Sequence, residues 1–361
     1  MRILLAASMY PPEIGGPATY AKLLVERLPS RGIEVDLLPF SSVRRFPRGI
    51  RHVVYTWKIF SRARKADLVF VQDTVSTGLP VALAAFFARR PFILRVPGDY
   101  AWEQGRQRFD VRDSLDDFQT KRYGFRIACL RMVQKFVVAR ASVVIVPSAY
   151  FGGIVSAWGV GQDRLRVIYN SIDIGKPIPP AAKPAGHTMV SVGRFVPWKG
   201  FDALIGLLPQ LPEWNLVLIG NGPERSNLEE KARTLGVEGR VTFTGALSHA
   251  EVFGWYEASD AFVLNTSFES FSYQVAEALT VGVPVIATNI GSLPELVENG
   301  KEGGLVAPDD MDAIQNALKS VVDEPELWKK RVEAGKVKAR LFNPETMLEK
   351  FVAVCKSLKQ V

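Results

Sequence analysis

The fold is decided by the stretch DAFVLNTSFESFSYQVAEALTVGVPVIAT, residues 260–288. Its apolar segment Ala261–Leu264 predicts a buried strand, and the polar segment Asn265–Ser270 predicts a loop. A helix is expected from about Ser272 to Thr280, followed by a second buried strand over Val283–Ala287. Near-continuous apolar strands that flank a helix are typical of a parallel sheet covered on both faces.

The same alternation of strand and helix patterns extends over nearly the whole chain, in two series. The first series predicts strands at Ile3–Ala7, Val35–Leu38, Leu68–Val71, Phe92–Val96, Val143–Val146 and Arg166–Ile168. The second predicts strands at Met189–Val192, Leu216–Ile219, Val241–Phe243, Ala261–Leu264, Val283–Ala287 and Gly304–Val306. Residues 175–186, rich in proline and glycine, separate the two series and are interpreted as a linker.

These patterns predict an α/β protein with two Rossmann-like domains that face each other across a cleft. The first domain is expected over residues 1–174, the second over 187–340, and a final helix over 341–361. Sheets of this kind bind ligands beyond the carboxyl ends of their strands. The expected ligand site is therefore the cleft between two such edges.

Composition and cysteine content bound the class of protein. The 361 residues suffice for two α/β domains, and 47% hydrophobic with 23% charged residues is ordinary for a globular protein. Cys129 and Cys355 both lie in apolar stretches that favour helices, which indicates a reducing compartment rather than a disulfide framework. The N-terminal apolar run is short, and no segment approaches the roughly 20 apolar residues of a spanning helix. We therefore expect a cytoplasmic protein.

The net charge of +8 is concentrated in the first half of the chain. Residues 1–172 contain 26 Lys/Arg and 13 Asp/Glu, whereas residues 173–361 contain 19 and 24. Two stretches of the first half, 44–65 and 119–140, carry eight and six basic residues and no acidic residue. The eight are Arg44, Arg45, Arg48, Arg51, Lys58, Arg62, Arg64 and Lys65.

Cationic amphipathic stretches with interleaved aromatic residues suit an anionic membrane surface, at about 1 kcal/mol per basic residue near it. This pattern predicts a peripheral protein at the inner face of a membrane. The alternative is a pair of helices that bury their apolar faces in the core and solvate their charges. Nucleic acid is not expected as a partner, because no recognised reader motif occurs.

The segment SVGRFVPWKG (Ser191–Gly200) places two cations between a strand end and a probable helix start. Arg194 can form paired hydrogen bonds with a phosphate, and Lys199 supplies a point charge beside it. The alternative interpretation is two solvated surface charges.

Two glutamates bracket the helix start in residues 260–288. Glu269 lies in the loop before the helix, and Glu277 lies about five residues into it. A helix start offers unpaired N–H groups and a positive dipole end to an anion. A carboxylate roughly 7 Å further along fits the hydroxyls of a ribose, because it accepts two hydrogen bonds from a diol. Alternatively, Glu269 complements the helix dipole and Glu277 is an exposed helix residue.

Together these segments resemble the family 4 glycosyltransferases, retaining enzymes with the two-domain GT-B fold. The resemblance covers nearly the whole chain and is more specific in its C-terminal half. It is carried by GRFVPWKG (Gly193–Gly200), by Glu269 and Glu277 with seven residues between them, and by EALTVGVPVIAT (Glu277–Thr288). Similar segments also occur at VLIGNGPE (Val217–Glu224), VTFTGAL (Val241–Leu247) and VIYNSID (Val167–Asp173).

The resemblance implies a role for each matched residue. Arg194 and Lys199 would bind the diphosphate of a nucleoside diphosphate sugar, and Glu269 would approach the transferred sugar. Glu277 would bind the ribose, and Leu247 would meet the base through backbone groups.

The paired glycines Gly15 and Gly16 lie between the first strand and the first helix, where a backbone can approach a ligand closely. Alone they are a weak signal, since such turns are common. The resemblance implies that Gly16 contacts phosphate or acceptor.

The resemblance also implies how the domains divide the work. The first domain would bind a saccharide or lipid-linked acceptor, the second the UDP- or GDP-sugar donor, and the final helix would return to the first domain. No cofactor and no metal ion are expected. The Asp310–Asp312 triplet is better explained as a helix cap than as a metal site.

Two departures from the family pattern matter. Serines, Ser270 and Ser272, flank Phe271 where the family has glycines, with Tyr273 next at the helix start. Backbone donors remain, and the hydroxyls can add hydrogen bonds to phosphate or sugar. In the first domain, Asp99 stands near the position where many members carry a histidine, so it becomes the candidate for orienting a substrate sugar. The alternative there is a turn-forming Gly-Asp pair.

Tyr100 and Trp102 are candidate sugar-stacking faces beside Asp99. The function expected is transfer of a sugar, with retained configuration, in envelope polysaccharide or glycolipid synthesis. Two alternatives stay open: a sugar-nucleotide epimerase with the same fold, and a non-catalytic nucleotide-sugar-binding protein.

Overall fold

The computed structural model describes residues 1–13, 15–47 and 49–358. Helices are α1 Gly16–Arg27, α2 Ile50–Ala63, α3 Gly78–Ala88, α4 Tyr100–Arg108, α5 Leu115–Thr120, α6 Phe125–Arg140, α7 Ala149–Ser156, α8 Phe201–Leu207, α9 Arg225–Thr234, α10 His249–Ala258, α11 Tyr273–Val281, α12 Leu293–Leu296, α13 Met311–Asp323, α14 Pro325–Ala339 and α15 Pro344–Ser357. Strands are β1 Arg2–Ala7, β2 Glu34–Pro39, β3 Leu68–Val71, β4 Phe92–Arg95, β5 Val143–Val146, β6 Leu165–Val167, β7 His187–Val192, β8 Trp214–Ile219, β9 Val241–Gly245, β10 Ala261–Leu264, β11 Val285–Thr288 and β12 Gly304–Val306.

The chain divides into two compact units. The first unit comprises Met1–Ser171 together with α15, and the second comprises Ile172–Asn343. Each unit contains a six-stranded sheet in which all pairings are parallel. The predicted α/β class is confirmed, and each predicted strand lies within two residues of an observed one.

The first sheet has the order β2-β1-β3-β4-β5-β6. Its central strands, such as VVIV over Val143–Val146, are buried throughout, because helices cover both faces of a parallel sheet. The C-terminal helix α15 contributes Leu348 and Phe351 to the core of this unit, and the Phe351 ring meets Phe70 edge to face at 4.9 Å between centroids. Of the predicted final helix, residues 359–361 lie outside the described residues, as does Arg48 of the basic stretch.

The second sheet has the order β12-β11-β10-β7-β8-β9. Its strands enclose a core in which Phe195, Leu216 and Val263 are fully buried. The strand–helix–strand unit within residues 260–288 forms as β10, α11 and β11, with β10 and β11 paired in parallel. A residue in the left-handed conformation, Gly282 (φ +93°), ends α11, which matches the preference for glycine at helix C-termini.

Each sheet contains one place where the chain reverses its direction of winding. In the first sheet this lies between β1 and β3, and in the second between β7 and β10. The connections from the two strands leave to opposite sides there, which opens a crevice at their carboxyl ends. We call the loops 8–13 and 72–77 the first switch point, and the loops 193–200 and 265–272 the second switch point.

Among the described residues, no helix combines the length and the apolarity needed to cross a bilayer.

Candidate active site

The second switch point is held together by hydrogen bonds between its two loops. The hydroxyl of Thr266 donates to the carbonyl oxygen of Trp198 at 3.1 Å, and the amide of Ser267 donates to the same oxygen at 2.9 Å. Thr266 is fixed from the other side, because its amide donates to the hydroxyl of Thr288 on β11 at 3.2 Å. The loop after β7 and the loop after β10 therefore form one structure.

This joining brings Lys199 and Glu269 together, although 70 positions separate them in the chain. The ammonium of Lys199 donates to Glu269 Oε1 in a close ion pair. The side chains are only 13% and 10% exposed, so the pair is shielded from bulk water. The low exposure strengthens the attraction between these two charges relative to that of a solvated surface pair.

Two glycines allow the loops to approach so closely. A Cβ atom on Gly200 (φ +59°) would lie 2.4 Å from the carbonyl oxygen of Asn265. A Cβ atom on Gly291 (φ +54°) would lie 2.4 Å from the carbonyl oxygen of Glu269. That oxygen accepts a hydrogen bond from the amide of Ser292 at 3.1 Å. Both positions require glycine, for conformation and for space.

Glu277 is 5% exposed and lies one turn into α11. Its Oε2 accepts a hydrogen bond from the hydroxyl of Tyr256 at 3.2 Å, and its Oε1 lies 3.5 Å from His249 Nδ1. Burial, together with the Glu277 charge, keeps the pKa of Tyr256 well above its ordinary value. The hydrogen bond with Glu277 raises the pKa of His249 against the effect of its burial. The carboxylate of Glu277 is thereby held in one orientation.

Arg194 is exposed, and no ion pair or side-chain hydrogen bond involves it in the part of the chain that the structure describes. It follows Gly193 at the end of β7, in the same loop as Lys199. The second switch point thus presents one solvent-facing guanidinium and one shielded ammonium. The structure brings Arg194, Lys199 and Glu269 into the two joined loops. The phosphate- and sugar-binding roles expected of these residues stay predictions.

The start of α11 departs from the sequence-based interpretation in one respect. Ser272 is completely buried, and its hydroxyl caps the helix by accepting a hydrogen bond from the amide of Val275 at 3.3 Å. Phe271 is also buried and packs edge to face against Tyr273 at 5.5 Å between centroids. Ser272 and Phe271 therefore stabilise the helix start, and the lining of the switch point falls to Ser270 and the α11 backbone.

Leu247 lies in the short loop between β9 and α10. The capping box at Ser248 and Glu251 fixes the start of α10 directly after it. Because His249 of this helix reaches Glu277, the loop that contains Leu247 lies beside the buried carboxylate. His249 and Tyr256 were not predicted from the sequence as site residues. The S-x-x-E pattern of a capping box was the available signal that His249 stands at a helix start.

Gly15 and Gly16 lie in the first unit, where Gly15 precedes α1 with φ +152° and Gly16 is its first residue. The helix has no side-chain cap, and Pro17 occupies its first turn. These glycines belong to the edge of the first sheet. They are not among the residues of the second switch point.

Asp99 also belongs to the first unit, and its observed contacts require a correction. It is 1% exposed, and its carboxylate accepts hydrogen bonds from the amide of Trp102 at 3.1 Å and from the side chains of Gln134 at 3.1 Å and Gln119 at 2.9 Å. A buried carboxylate with three donors caps α4 and has little capacity left for a sugar. Trp102 is 2% exposed, which leaves no face for stacking.

Comparison with known proteins identifies the class. Family models match in two blocks, glycosyl transferases group 1 over residues 179–338 and glycosyltransferase family 4 over residues 14–176. The structure of HepE from Anabaena in complex with UDP and glucose superposes with a TM-score of 0.77 and 22% identity, covering 99% of this chain and 100% of that one. The two units therefore have the GT-B fold. The chain belongs to the group 1, family 4 glycosyltransferases.

Two curated relatives show how similar the sequence is to those of known glycosyltransferases. Glycogen synthase from Mycobacterium tuberculosis is 29% identical over 282 residues, which is 76% of this chain and 64% of that protein. The lipopolysaccharide core biosynthesis mannosyltransferase LpsB from Rhizobium meliloti is 31% identical over 207 residues, 53% of this chain and 58% of that protein. The chain thus spans less than two thirds of the length of each of these relatives.

Proposed function

We propose that the protein transfers a hexosyl group from a UDP- or GDP-sugar to an acceptor hydroxyl with retention of configuration. The observation that carries this proposal is the second switch point, where two cations and two buried carboxylates surround a helix start. The HepE structure with UDP and glucose supports a nucleotide-sugar donor, since its sheets superpose on those of this chain.

In the proposed reaction, negative charge develops on the leaving diphosphate. Arg194 binds a phosphate through its guanidinium, and Lys199 places a second positive charge beside it. The N-terminal end of α11 adds aligned backbone dipoles. Lys199 and the dipoles of α11 are held in place before the reaction, so they stabilise the developing charge with little reorganisation. The proposed reaction includes no metal ion and no cofactor, as the family resemblance implies.

The two carboxylates have separate roles in this proposal. Glu269 forms an ion pair with Lys199 and lies in the loop that precedes α11, which suits it to the transferred sugar. Glu277 is held by Tyr256 and His249 and accepts hydrogen bonds from the two ribose hydroxyls. The leaving phosphate oxygen takes the acceptor proton on the same face of the sugar, so a separate strong base is not required.

A donor panel tests this function. Purified protein is incubated with UDP-, GDP- and ADP-sugars, followed first by thermal stabilisation and then by released nucleoside diphosphate. We expect at least one donor to stabilise the protein and to release its diphosphate, faster when an acceptor is present. Conversion of the donor into its epimer would instead indicate an epimerase. Stabilisation without turnover would indicate a non-catalytic binding protein, and absence of binding to the whole panel would contradict the proposal.

We propose further that the acceptor belongs to envelope polysaccharide or glycolipid synthesis and that the first unit docks on an anionic bilayer. The observation behind this is an apolar–cationic face formed by α2, α3 and α6. Helix α3 packs against α2 and against α6. Large apolar side chains remain exposed on all three helices, among them Val53, Trp57, Phe86, Phe87, Phe125 and Met132.

The composition of this face favours a bilayer over another protein surface. The three helices contain no acidic residue. Arg140 lies over the ring of Phe86 at 5.9 Å, so apolar and cationic groups are interleaved. The alternative was that these helices bury their apolar faces in the core. This holds for only part of α2, which buries Tyr55 and Ile59 but leaves Trp57 67% exposed. Apolar insertion combined with attraction to anionic headgroups is typical of peripheral proteins.

Co-sedimentation with vesicles tests the docking. We expect binding to vesicles that contain phosphatidylglycerol and little binding to pure phosphatidylcholine. The double variant Phe86→Ser/Phe87→Ser should lose most of this binding. Leu341→Ser, which removes an exposed apolar side chain (55%) from the second unit, is the matched control and should bind normally. Equal binding of both variants would contradict the assigned face.

A further inference from the structure

The first switch point encloses a cavity of about 430 Å³. Its volume lies within the range of small-molecule sites in proteins, roughly 300–1,000 Å³. The cavity is lined by residues that follow β1 and β3 and by parts of α2 and α4, among them Met9, Arg51, Gln72, Asp73, Tyr100 and Glu103. All of its lining residues belong to the first unit.

Gln72 is the first sign that this cavity takes a polar ligand. It directly follows β3 and is 1% exposed. Neither its Nε2 nor its Oε1 has a hydrogen-bond partner within the described part of the chain. Buried side-chain amides are nearly always hydrogen-bonded, because leaving a buried donor or acceptor unpaired costs about 1–3 kcal/mol each. An amide that donates and accepts suits a ligand with hydroxyl groups.

Glu103 is the second sign. A Cβ atom on Gly98 would lie 2.5 Å from Glu103 Oε1, so the glycine leaves the space in which this carboxyl group sits. The neighbouring carboxylates already have donors: Asp99 accepts from two glutamines and the Trp102 amide, and Asp73 accepts from backbone amides at 2.9 Å. No side-chain hydrogen bond or ion pair of Glu103 occurs among the described residues.

Burial and the nearby charges of Asp99 and Asp73 raise the pKa of Glu103 to about 7. Near neutral pH its carboxyl group therefore exists in both protonation states. It can accept a hydrogen bond from a ligand hydroxyl in one state and donate one in the other.

Arg51 supplies the positive charge of the cavity. Its guanidinium lies 5.5 Å from the centre of the Phe40 ring, and its buried Nε has no partner among the residues that the structure describes. The other arginine of the lining, Arg44, is paired with Glu13. A stacked, oriented guanidinium with an unused donor suits a phosphate oxygen.

Resting on the proposed transferase function, we propose that this cavity binds the acceptor and that the acceptor is a saccharide carrying a phosphate. Gln72 and Glu103 hydrogen-bond its hydroxyl groups, and Arg51 binds its phosphate. The phosphate belongs either to a free sugar phosphate or to a lipid–phosphate linkage, and the two sources share this chemistry.

Calorimetric titration tests the proposal on the full-length protein with a saturating donor diphosphate. The probes are glucose, mannose, galactose and N-acetylglucosamine, each as the free sugar, the 1-phosphate and the octyl phosphodiester. We expect at least one phosphorylated probe to bind at least tenfold more tightly than its free sugar. Tenfold tighter binding of the octyl probe would assign the lipid-linked source, and equal binding would assign the free sugar phosphate.

Variants locate the binding. Arg51→Gln should weaken the phosphorylated probe about tenfold and leave the free sugar unchanged, whereas Gln72→Leu should weaken both. Arg112→Gln removes an 86%-exposed arginine side chain outside this cavity and is the matched control. Glu103→Gln keeps the shape of the side chain and covers the case in which Gln72→Leu fails to fold.

The possible failures are distinguishable. If the nucleoside diphosphate binds and the donor turns over but no phosphorylated probe is preferred, the cavity proposal is overturned and the transferase function stands. The same conclusion follows if Arg51→Gln binds the phosphorylated probe as the wild type does. If the donor itself does not bind, the proposed function fails.

Discussion

The two switch points of this protein have the same position in their sheets but differ in how their polar side chains are paired. At the second, Lys199 and Glu269 form an ion pair and Glu277 is held by Tyr256, so three of its four charged side chains already have partners within the protein. At the first, the buried side-chain amide of Gln72 has no hydrogen-bond partner among the described residues. One edge is organised in advance around strong charges, and the other leaves hydrogen-bonding groups open.

This difference matches different tasks. Stabilising a developing diphosphate charge requires groups whose positions are fixed before the reaction. Recognising the acceptor sugar requires hydrogen-bonding groups that the protein itself leaves unpaired. A ligand that cannot pair with these groups is rejected, because they would stay buried without partners. We therefore assign the donor to the second switch point and the acceptor to the first. The following predictions test that assignment, from the largest expected effect to the smallest.

The largest effect is expected from removing the cations of the second switch point. Lys199→Ala or Arg194→Ala should lower kcat/KM by roughly 30- to 1000-fold, or about 2–4 kcal/mol of transition-state stabilisation. Steady-state release of nucleoside diphosphate measures this. Lys301→Ala, which removes an exposed lysine from the same unit, is the control. Near-normal turnover in a Lys199 or Arg194 variant that is folded by circular dichroism would remove the assigned role.

Glu277→Leu should act mainly on donor binding. Loss of the diol-binding carboxylate should raise the donor KM about 10- to 100-fold, since two hydrogen bonds to a charged group are lost. Tyr256→Phe keeps the carboxylate but removes the hydroxyl that orients it, so a smaller rise in KM is expected. Initial rates at varied donor concentration give both values. A large loss of kcat at unchanged KM in Glu277→Leu would assign this residue to the chemical step instead.

Asp99→Ala should reduce the stability of the first unit, in the loop between β4 and α4. Removing the cap leaves the Trp102 amide and the buried side chain of Gln134 without their acceptor, at a cost of about 2–4 kcal/mol in the free energy of unfolding. The half-buried Gln119 loses one of its two acceptors and keeps the Leu115 carbonyl oxygen. Urea denaturation followed by circular dichroism measures it. Asp117→Ala, which removes an exposed carboxylate in the first turn of α5, is the control. An unchanged unfolding free energy with abolished transfer would restore Asp99 as a substrate-binding residue.

Glu103→Gln should change how stability depends on pH. The folded-state pKa of Glu103, about 7, lies above its ordinary value of 4.5, so the folded state resists ionisation of this carboxyl. The wild type therefore loses stability as pH rises from about 4.5 through 7, and the glutamine variant lacks that loss. Urea unfolding at pH 5 and pH 8 should show the variant gaining relative to the wild type at pH 8. An equal difference between the proteins at both pH values would contradict the raised pKa.

Much of the second switch point could be predicted from sequence, because its residues occur in short ordered segments. One local pattern is a strand followed by Gly193, Arg194 and Lys199. The other is the pair Glu269 and Glu277 on either side of a helix start. The link between the two loops, through Thr266 and the Trp198 carbonyl, could not be predicted, since it joins distant parts of the chain through a backbone atom.

In the first switch point and the neighbouring start of α4, only the strands could be predicted from the sequence. Asp99 follows β4 and attracts attention in the sequence, but its capping geometry depends on Gln119 and Gln134 of later helices. Glu103 lies one helical turn further on, and its proximity to Gly98 becomes visible only when α4 is in place. The local sequence cannot distinguish a helix-capping carboxylate from a substrate-binding one, because both follow a strand and precede a helix. The packing of distant helices decides between these two roles.

The central claim is that the nucleotide belongs to the second switch point and not to the first. Calorimetric titration of UDP and GDP into the wild type, Lys199→Ala and Arg51→Gln tests it most directly, because the two variants each remove one cation from one switch point. We predict that the preferred nucleotide binds at least tenfold more weakly to Lys199→Ala and with unchanged affinity to Arg51→Gln. Unchanged affinity in Lys199→Ala with a loss in Arg51→Gln would contradict the assignment.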